Sequence, residues 1–367
     1  MASVLPFAAA LLLGFAIHAQ APSPAPAPQP TATLLVRLKS KRADLTAATE
    51  ILTQLKTRRT RARLQASTTL HKRFVDEAKD YARLSARVFG SYEAAAARAQ
   101  RALLDAAGAK QVATLREQAL AVTRSRALTD AAIRREIDPR LGELERLLLP
   151  SQTQILDADD DLDVALAELR LAHRELRAWF ALYASATEGL ELHEDAQKHF
   201  AKLPPPPDPG AADRIDDELR LATFAGLPMP ARDRKALRAN DALRGATPAE
   251  EFAGTLELNR RRYLLGLRLL RIDPRLSDAA RDHSRDMATR GFFSHTSPIR
   301  GKERFGQRAA NFGTSASAEN IAAGQQTGAG AIRAWWHSPG HHRNMLGPHG
   351  RTGLGQHGTM WTQMFGG

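Results

Sequence analysis

With 367 residues, 43% of them apolar and 25% charged, the chain has room for two or three folded domains. It contains no cysteine, which excludes disulfides, thiolate metal sites and cysteine-based catalysis, and such an exported protein fits a bacterial envelope. The net charge of +12 divides into +11 on residues 33–149, −9 on 150–220 and +10 on 221–367; without interleaved aromatic rings, the basic blocks read as solvated helix faces and argue against a nucleic-acid partner.

Taken in chain order, the only strongly apolar run is Leu5–Ile17. It is too short to span a bilayer but has the length of a signal-peptide core, so residues 1–19 are expected to direct export, although no Lys or Arg precedes the run. No other transmembrane segment is expected. Residues 20–32 contain APSPAPAPQP, a stiff proline-rich linker. Residues 33–202 are dominated by Ala, Leu, Arg and Glu, with apolar residues recurring at three and four, as at Ile133, Ile137, Leu141 and Leu144. This pattern predicts an all-α helical bundle or coiled coil, with breaks at Asp138-Pro139 and Leu149-Pro150. Asp157, Asp159, Asp161, Asp163 and Glu168 follow most of the spacing of a calcium loop, but Leu162 stands where that loop needs glycine. Acidic residues opening a helix explain the run better. A second proline-rich linker, 203–212, and a connecting helical segment, 213–250, lead into residues 251–367.

There the texture changes to glycine-rich turns and short runs, since 16 of the 25 glycines lie beyond position 255. A compact α/β domain is expected. Glu251–Arg271 reads as a helix, Ser277 as the N-cap of a second helix running to Arg290, and Gly353–Gly358 with Met360–Phe365 as the last two strands. Trp335 is expected in the core, His283 in solvent, and Pro339-Gly340 at a helix end that aims His341 into a loop. Four clusters carry candidate chemistry: FFSHTSP at 292–298, AENIA at 318–322, AWWHSPGH at 334–341 and MWTQMFG at 360–366. Two histidines and a carboxylate can share a cation or a proton, but spacing alone does not bring these together.

Their order does more. Asn259, then LSDAA with His283 and Asp286-Met287, then FFSHTSP, AENIA, SPGH with Asn344-Met345-Leu346, and WTQMFG together resemble the bacterial CAP domain (cysteine-rich secretory protein, antigen 5, pathogenesis-related). The resemblance covers about 110 residues within 251–367 and none of residues 20–250. It implies a multidomain chain ending in an α-β-α sandwich with a cleft on one side. Animal and plant members line that cleft with two His and two Glu that bind zinc or a similar cation. His295 matches the first His and Glu319 the first Glu. The second Glu has no match, with His337 and Ser338 in its place, and Met360 replaces the second His. Bacterial members carry a His in SPGH, here His341. The resemblance therefore implies a site of His295, Glu319 and His341 for zinc or another divalent cation, with no nucleotide cofactor.

Three functions follow as expectations. The first is a secreted or envelope-associated binding module for a cell-wall polymer, a lipid or a protein. The second is a metal-assisted hydrolase, for which no established catalytic motif is present. The third is an assembly protein that self-associates through its helices.

Overall fold

In a computed structural model, residues 32–40, 43, 46–47, 60–187 and 215–367 can be described. The expected signal peptide and both proline-rich linkers lie outside them. Among the described residues the chain is helix-rich with one small mixed sheet. After a helical stretch at residues 32–40, the helices in chain order are α1 (Thr60–Leu103), α2 (Ala106–Arg124) and α3, which starts at Asp130–Ala132, passes through a π turn at Ile133–Ile137 and continues as Asp138–Leu148. Next come α4 (Gln152–Leu156), α5 (Leu162–Thr187), α6 (Ile215–Gly226), α7 (Ala231–Asp241) and α8 (Ala249–Leu264). Strand β1 (Arg271–Ile272), α9 (Pro274–Arg290), α10 (Phe305–Asn311), β2 (Ala318–Ala323), α11 (Gly328–Trp336), α12 (Pro339–Leu346), β3 (Arg351–His357) and β4 (Met360–Gly366) complete the chain.

These elements form two compact units. One, Ala25–Leu103 with Leu149–Pro228, packs α1 against α4, α5 and α6. Small residues let the helices approach: Ala95, Ala96 and Ala99 line the core side of α1, and a Cβ on Gly226 would sit 2.2 Å from the Glu93 carbonyl oxygen. The acidic run opens α5 as the sequence suggests, because Leu162, in the glycine position of a calcium loop, is fully buried in this core.

The other unit joins Leu104–Leu148 to Met229–Gly367. The division cuts through the 33–202 helical span, so α2 and α3 form a hairpin on the C-terminal domain. Arg116 of α2 donates to the Leu264 and Tyr263 carbonyls at 2.7 and 3.0 Å, and Arg260 pairs with Glu145 of α3. Asp138-Pro139 does not break α3. Proline has no N–H and its ring crowds the carbonyl four residues back, and the wider π turn just before it accommodates both defects.

The sheet has the order β1-β3-β4-β2, with β1 parallel to β3 and the other pairs antiparallel. Helix α9 covers one face. There Gly353 and Gly355 of β3 leave no room for a side chain, since a Cβ on Gly353 would lie 2.2 Å from the Leu276 carbonyl carbon. Leu354 points to the opposite face and packs on Gly254 of α8, beside α11, so the sheet lies between helical layers. Replacing Gly353 with Ala is expected to cost about 2–3 kcal/mol by overpacking, measured by urea unfolding, whereas Gly291→Ala would strain only a left-handed turn.

Three local expectations are corrected. The 251–271 helix stops at Leu264, where Gly266 takes φ of 70° and the chain turns into β1. Asn259 then pairs with the backbone of Leu270 as a strand would, donating to its carbonyl at 2.9 Å and accepting from its N–H at 2.8 Å. Helix α9 starts at Pro274 with Asp273 as its cap, four residues before Ser277, because proline at the first helical position needs no partner. For the same reason Pro339 begins α12 rather than ending α11, and His341 lies in the first turn of α12.

Candidate functional site

Strand β2 is an edge of the sheet, and the candidate residues gather around its first half. An edge strand turns alternate carbonyls outward, and here two of them are taken by side chains: Asn344 donates to Glu319 O at 3.1 Å, and the Trp335 indole to Ile321 O at 2.8 Å. The strand thus presents Glu319 and Asn320 to opposite faces.

The Glu319 side chain is 1% exposed, and each of its oxygens has a partner. Oε2 accepts from Arg308 Nη2 at 2.6 Å, and Oε1 lies 3.0 Å from His295 Nδ1. Arg308 is fully buried, and its other donors hold the loop that carries the histidine: Nη2 reaches His295 O at 3.1 Å, and Nη1 reaches Lys302 O at 2.7 Å and Glu303 O at 3.2 Å. His295 itself is half-exposed, at 51% of its side chain. With Nδ1 directed at the carboxylate, its Nε2 is left as the working nitrogen.

His341 approaches from α12, with its ring centroid 6.2 Å from that of His295. Burial holds its pKa below the ordinary histidine value, and the neighbouring His295 acts in the same direction. Asn344, Asn320 and Gln363 extend the polar cluster beneath it. Asn344 donates to Asn320 Oδ1 at 2.9 Å, Asn320 to Gln363 Oε1 at 3.3 Å, and Gln363 Nε2 is buried without a partner.

His283 does not lie in solvent. It is fully buried on α9, where Nε2 meets Ser294 O at 3.1 Å, Nδ1 has no partner, and the ring packs on Phe292. Burial, the largest cause, lowers its pKa, and the Arg308 guanidinium acts in the same direction. His283 and Arg308 therefore each grip a carbonyl of the His295 loop. Nothing in the spacing of Arg308 marks it as the partner of Glu319; only the packing of α10 under β2 reveals it.

The hairpin meets the other side of α11 and α12. Asp138 accepts from the Trp336 indole at 2.7 Å and lies 2.8 Å from His337 Nε2. His342 packs on Trp336 at 4.3 Å, contacts Trp336 O at 2.7 Å and lies 3.3 Å from Thr123 Oγ1. His337 and His342 are thus absorbed into the hairpin contact, whereas His295 is exposed and His341 lies part-buried beside it.

This ordered set of motifs, folded around one strand edge, is matched by a family comparison: residues 256–351 correspond to CAP, the cysteine-rich secretory protein family. The C-terminus of this chain is a CAP domain. Among curated proteins it is similar to "Uncharacterized protein YkwD" of Bacillus subtilis (strain 168), 38% identical over 110 residues. That alignment covers 29% of this chain and 43% of the relative, so the chain spans less than half the length of the curated protein it matches. A solved structure, an extracellular protein containing a SCP domain from Bacillus anthracis str. Ames, is 28% identical over 38% of this chain and 44% of that one, with a TM-score of 0.31. No helix among the described residues is long and apolar enough to cross a membrane.

The cation set implied by the CAP resemblance can be tested on this geometry. Structure brings His295, Glu319 and His341 together, but as an acid–base cluster rather than a ligand cage. Glu319 gives one oxygen to a buried guanidinium and the other to His295, so the carboxylate charge is already neutralised. Among the described residues no three His, Asp or Glu form a group that could hold a metal ion. In this arrangement the trio does not fit a divalent cation.

Proposed function

We propose that the CAP domain is an extracellular binding module whose cleft over the edge of β2 takes a polar ligand. The observation that carries this reading is the mounting of His295. A half-exposed imidazole is anchored through Nδ1 by a buried carboxylate, which is itself locked by Arg308, with His341 beside it. Such a pair offers preorganised hydrogen bonds at little entropic cost. The exposed His295 with the part-buried His341 and Asn344 favour the hydroxyl and amide groups of wall glycan or peptide over a lipid tail. Export rests on the apolar run at Leu5–Ile17 and the proline-rich stretch after it.

Hydrolysis is the second reading, favoured by the same His295–Glu319 pair, which orients an imidazole as a general base. It lacks a partnered nucleophile: Ser294 and Ser297 use their hydroxyls to accept the N–H groups of Thr296 and Ile299 in loop turns.

Co-sedimentation of the full chain with peptidoglycan freed of anionic polymers tests both. Binding by wild type that falls tenfold or more in His295→Ala and His341→Ala supports the module. Equal sedimentation of all three proteins overturns it, and release of soluble fragments by wild type alone turns the reading to hydrolysis.

A further inference from the structure

A second surface of the same unit is independent of the cleft. The C-terminal end of α2 carries Arg124 and Arg126 on either side of its capping residue Ser125, and all three are exposed. Arg343, exposed on α12, crosses to donate from Nη2 to Ser125 O at 2.9 Å. Residues 218 positions apart are thus joined at one corner, with the Arg343 guanidinium on the carbonyl of the residue between Arg124 and Arg126.

One of them caps the helix. A helix C-terminus attracts a cation, and Arg343 answers that need through Ser125 O. Arg124 and Arg126 are in excess of it. No carboxylate among the described residues pairs with any of the three: the nearest acid along the chain, Asp130, is taken by Arg134 at 3.0 Å. The chain has no Asp or Glu after Glu319, so α12 brings no counter-charge. The whole unit holds 29 Lys and Arg against 18 Asp and Glu.

We propose that this corner is a docking surface for a flexible polyanion carrying phosphate or phosphodiester groups. Guanidiniums bind such groups with paired, fork-like hydrogen bonds. The chemistry also narrows the partner. The exposed large apolar side chains among the described residues are Val36, Val164 and Phe293, and none belongs to α2, α12 or the hairpin turn. With no large exposed apolar side chain to insert into a membrane and no ring to stack on a base, the corner offers its partner charge alone. Charge alone remains, and a linear polyanion needs only charge.

The test is fluorescence anisotropy of the full chain with labelled inorganic polyphosphate over a salt series. Arg124→Gln/Arg126→Gln/Arg343→Gln is expected to bind at least tenfold more weakly. Its slope of log affinity against log salt should be about 2 smaller, three charges at roughly 0.7 each. The Arg→Lys triple variant should keep most of the binding, which separates charge from folding, as should an unchanged thermal midpoint. His295→Ala should bind as wild type, so failure here is distinct from failure of the cleft. Unchanged affinity in the Gln variant overturns the proposal. So does an equal loss in Arg290→Gln/Arg300→Gln, or tighter binding to phosphatidylserine vesicles or to single-stranded DNA than to polyphosphate.

Discussion

Arg308→Met is expected to lower the free energy of unfolding by about 3–5 kcal/mol, the cost of leaving one member of a buried ion pair alone. Both side chains of the pair are almost completely buried, and Glu319 Oε2 has Arg308 as its partner at 2.6 Å. Methionine fills most of the volume but leaves the carboxylate charged in an apolar setting. It also frees three loop carbonyls, those of His295, Lys302 and Glu303. Urea unfolding at neutral pH measures the loss. Arg308→Met combined with Glu319→Gln should recover part of it, because the orphaned charge is then gone. The imidazole resonances of His295 should change in both variants, since the ring loses its anchored partner or the loop beneath it. If Arg308→Met unfolds at the wild-type urea concentration, the pair does not carry the site.

Acid is expected to destabilise the C-terminal unit through His342. Burial, the largest cause, pushes its pKa down to about 4 from the model-peptide value of 6.5. Below pH 6.5 the unfolded chain takes up a proton that the folded ring refuses, so the unfolded state gains. The stabilisation is complete above pH 6.5 and is lost as pH falls toward 4, a total of about 3 kcal/mol at 1.36 kcal/mol per unit. The physical reason is visible around the ring: Trp336 packs against it, and Arg261 lies 4.6 Å from the centre of that indole, adding a repelling cation. Unfolding free energies measured between pH 7 and 4 should fall less steeply for His342→Gln than for wild type. Equal slopes would show that the ring is hydrated in the native state. His283 and His341, also lowered by burial, act with the same sign in both proteins and cancel in the comparison.

Much of the C-terminal domain could be read from the residues alone. The ordered motifs mark its extent, and the short run Met360–Phe365 before the C-terminus reads as β4, although that strand is buried on both faces and shows no exposed–buried alternation. Helix starts were harder. Ser277 competes with Asp273 as a cap, and Pro339 can end one helix or begin the next; only the hydrogen bonds made by the flanking backbone decide. His283 looked solvated because a lone polar residue on a helix usually is, and nothing local announces that α9 turns that face onto the sheet.

Residue type and order alone give the family of the C-terminal domain and exclude thiol chemistry, and they single out His295, Glu319 and His341 as candidates. Tertiary structure decided what these residues are to one another. It placed Arg308 beneath Glu319 and so made the trio an anchored imidazole pair instead of a cation cage. It also placed α2 and α3 in the same compact unit as the C-terminal domain, although by periodicity they are indistinguishable from α1 and α5. An amphipathic pattern states that a helix must bury one face; it does not state against what. For α3 that partner is chosen by Asp138, Glu145 and the groups they meet more than a hundred residues away.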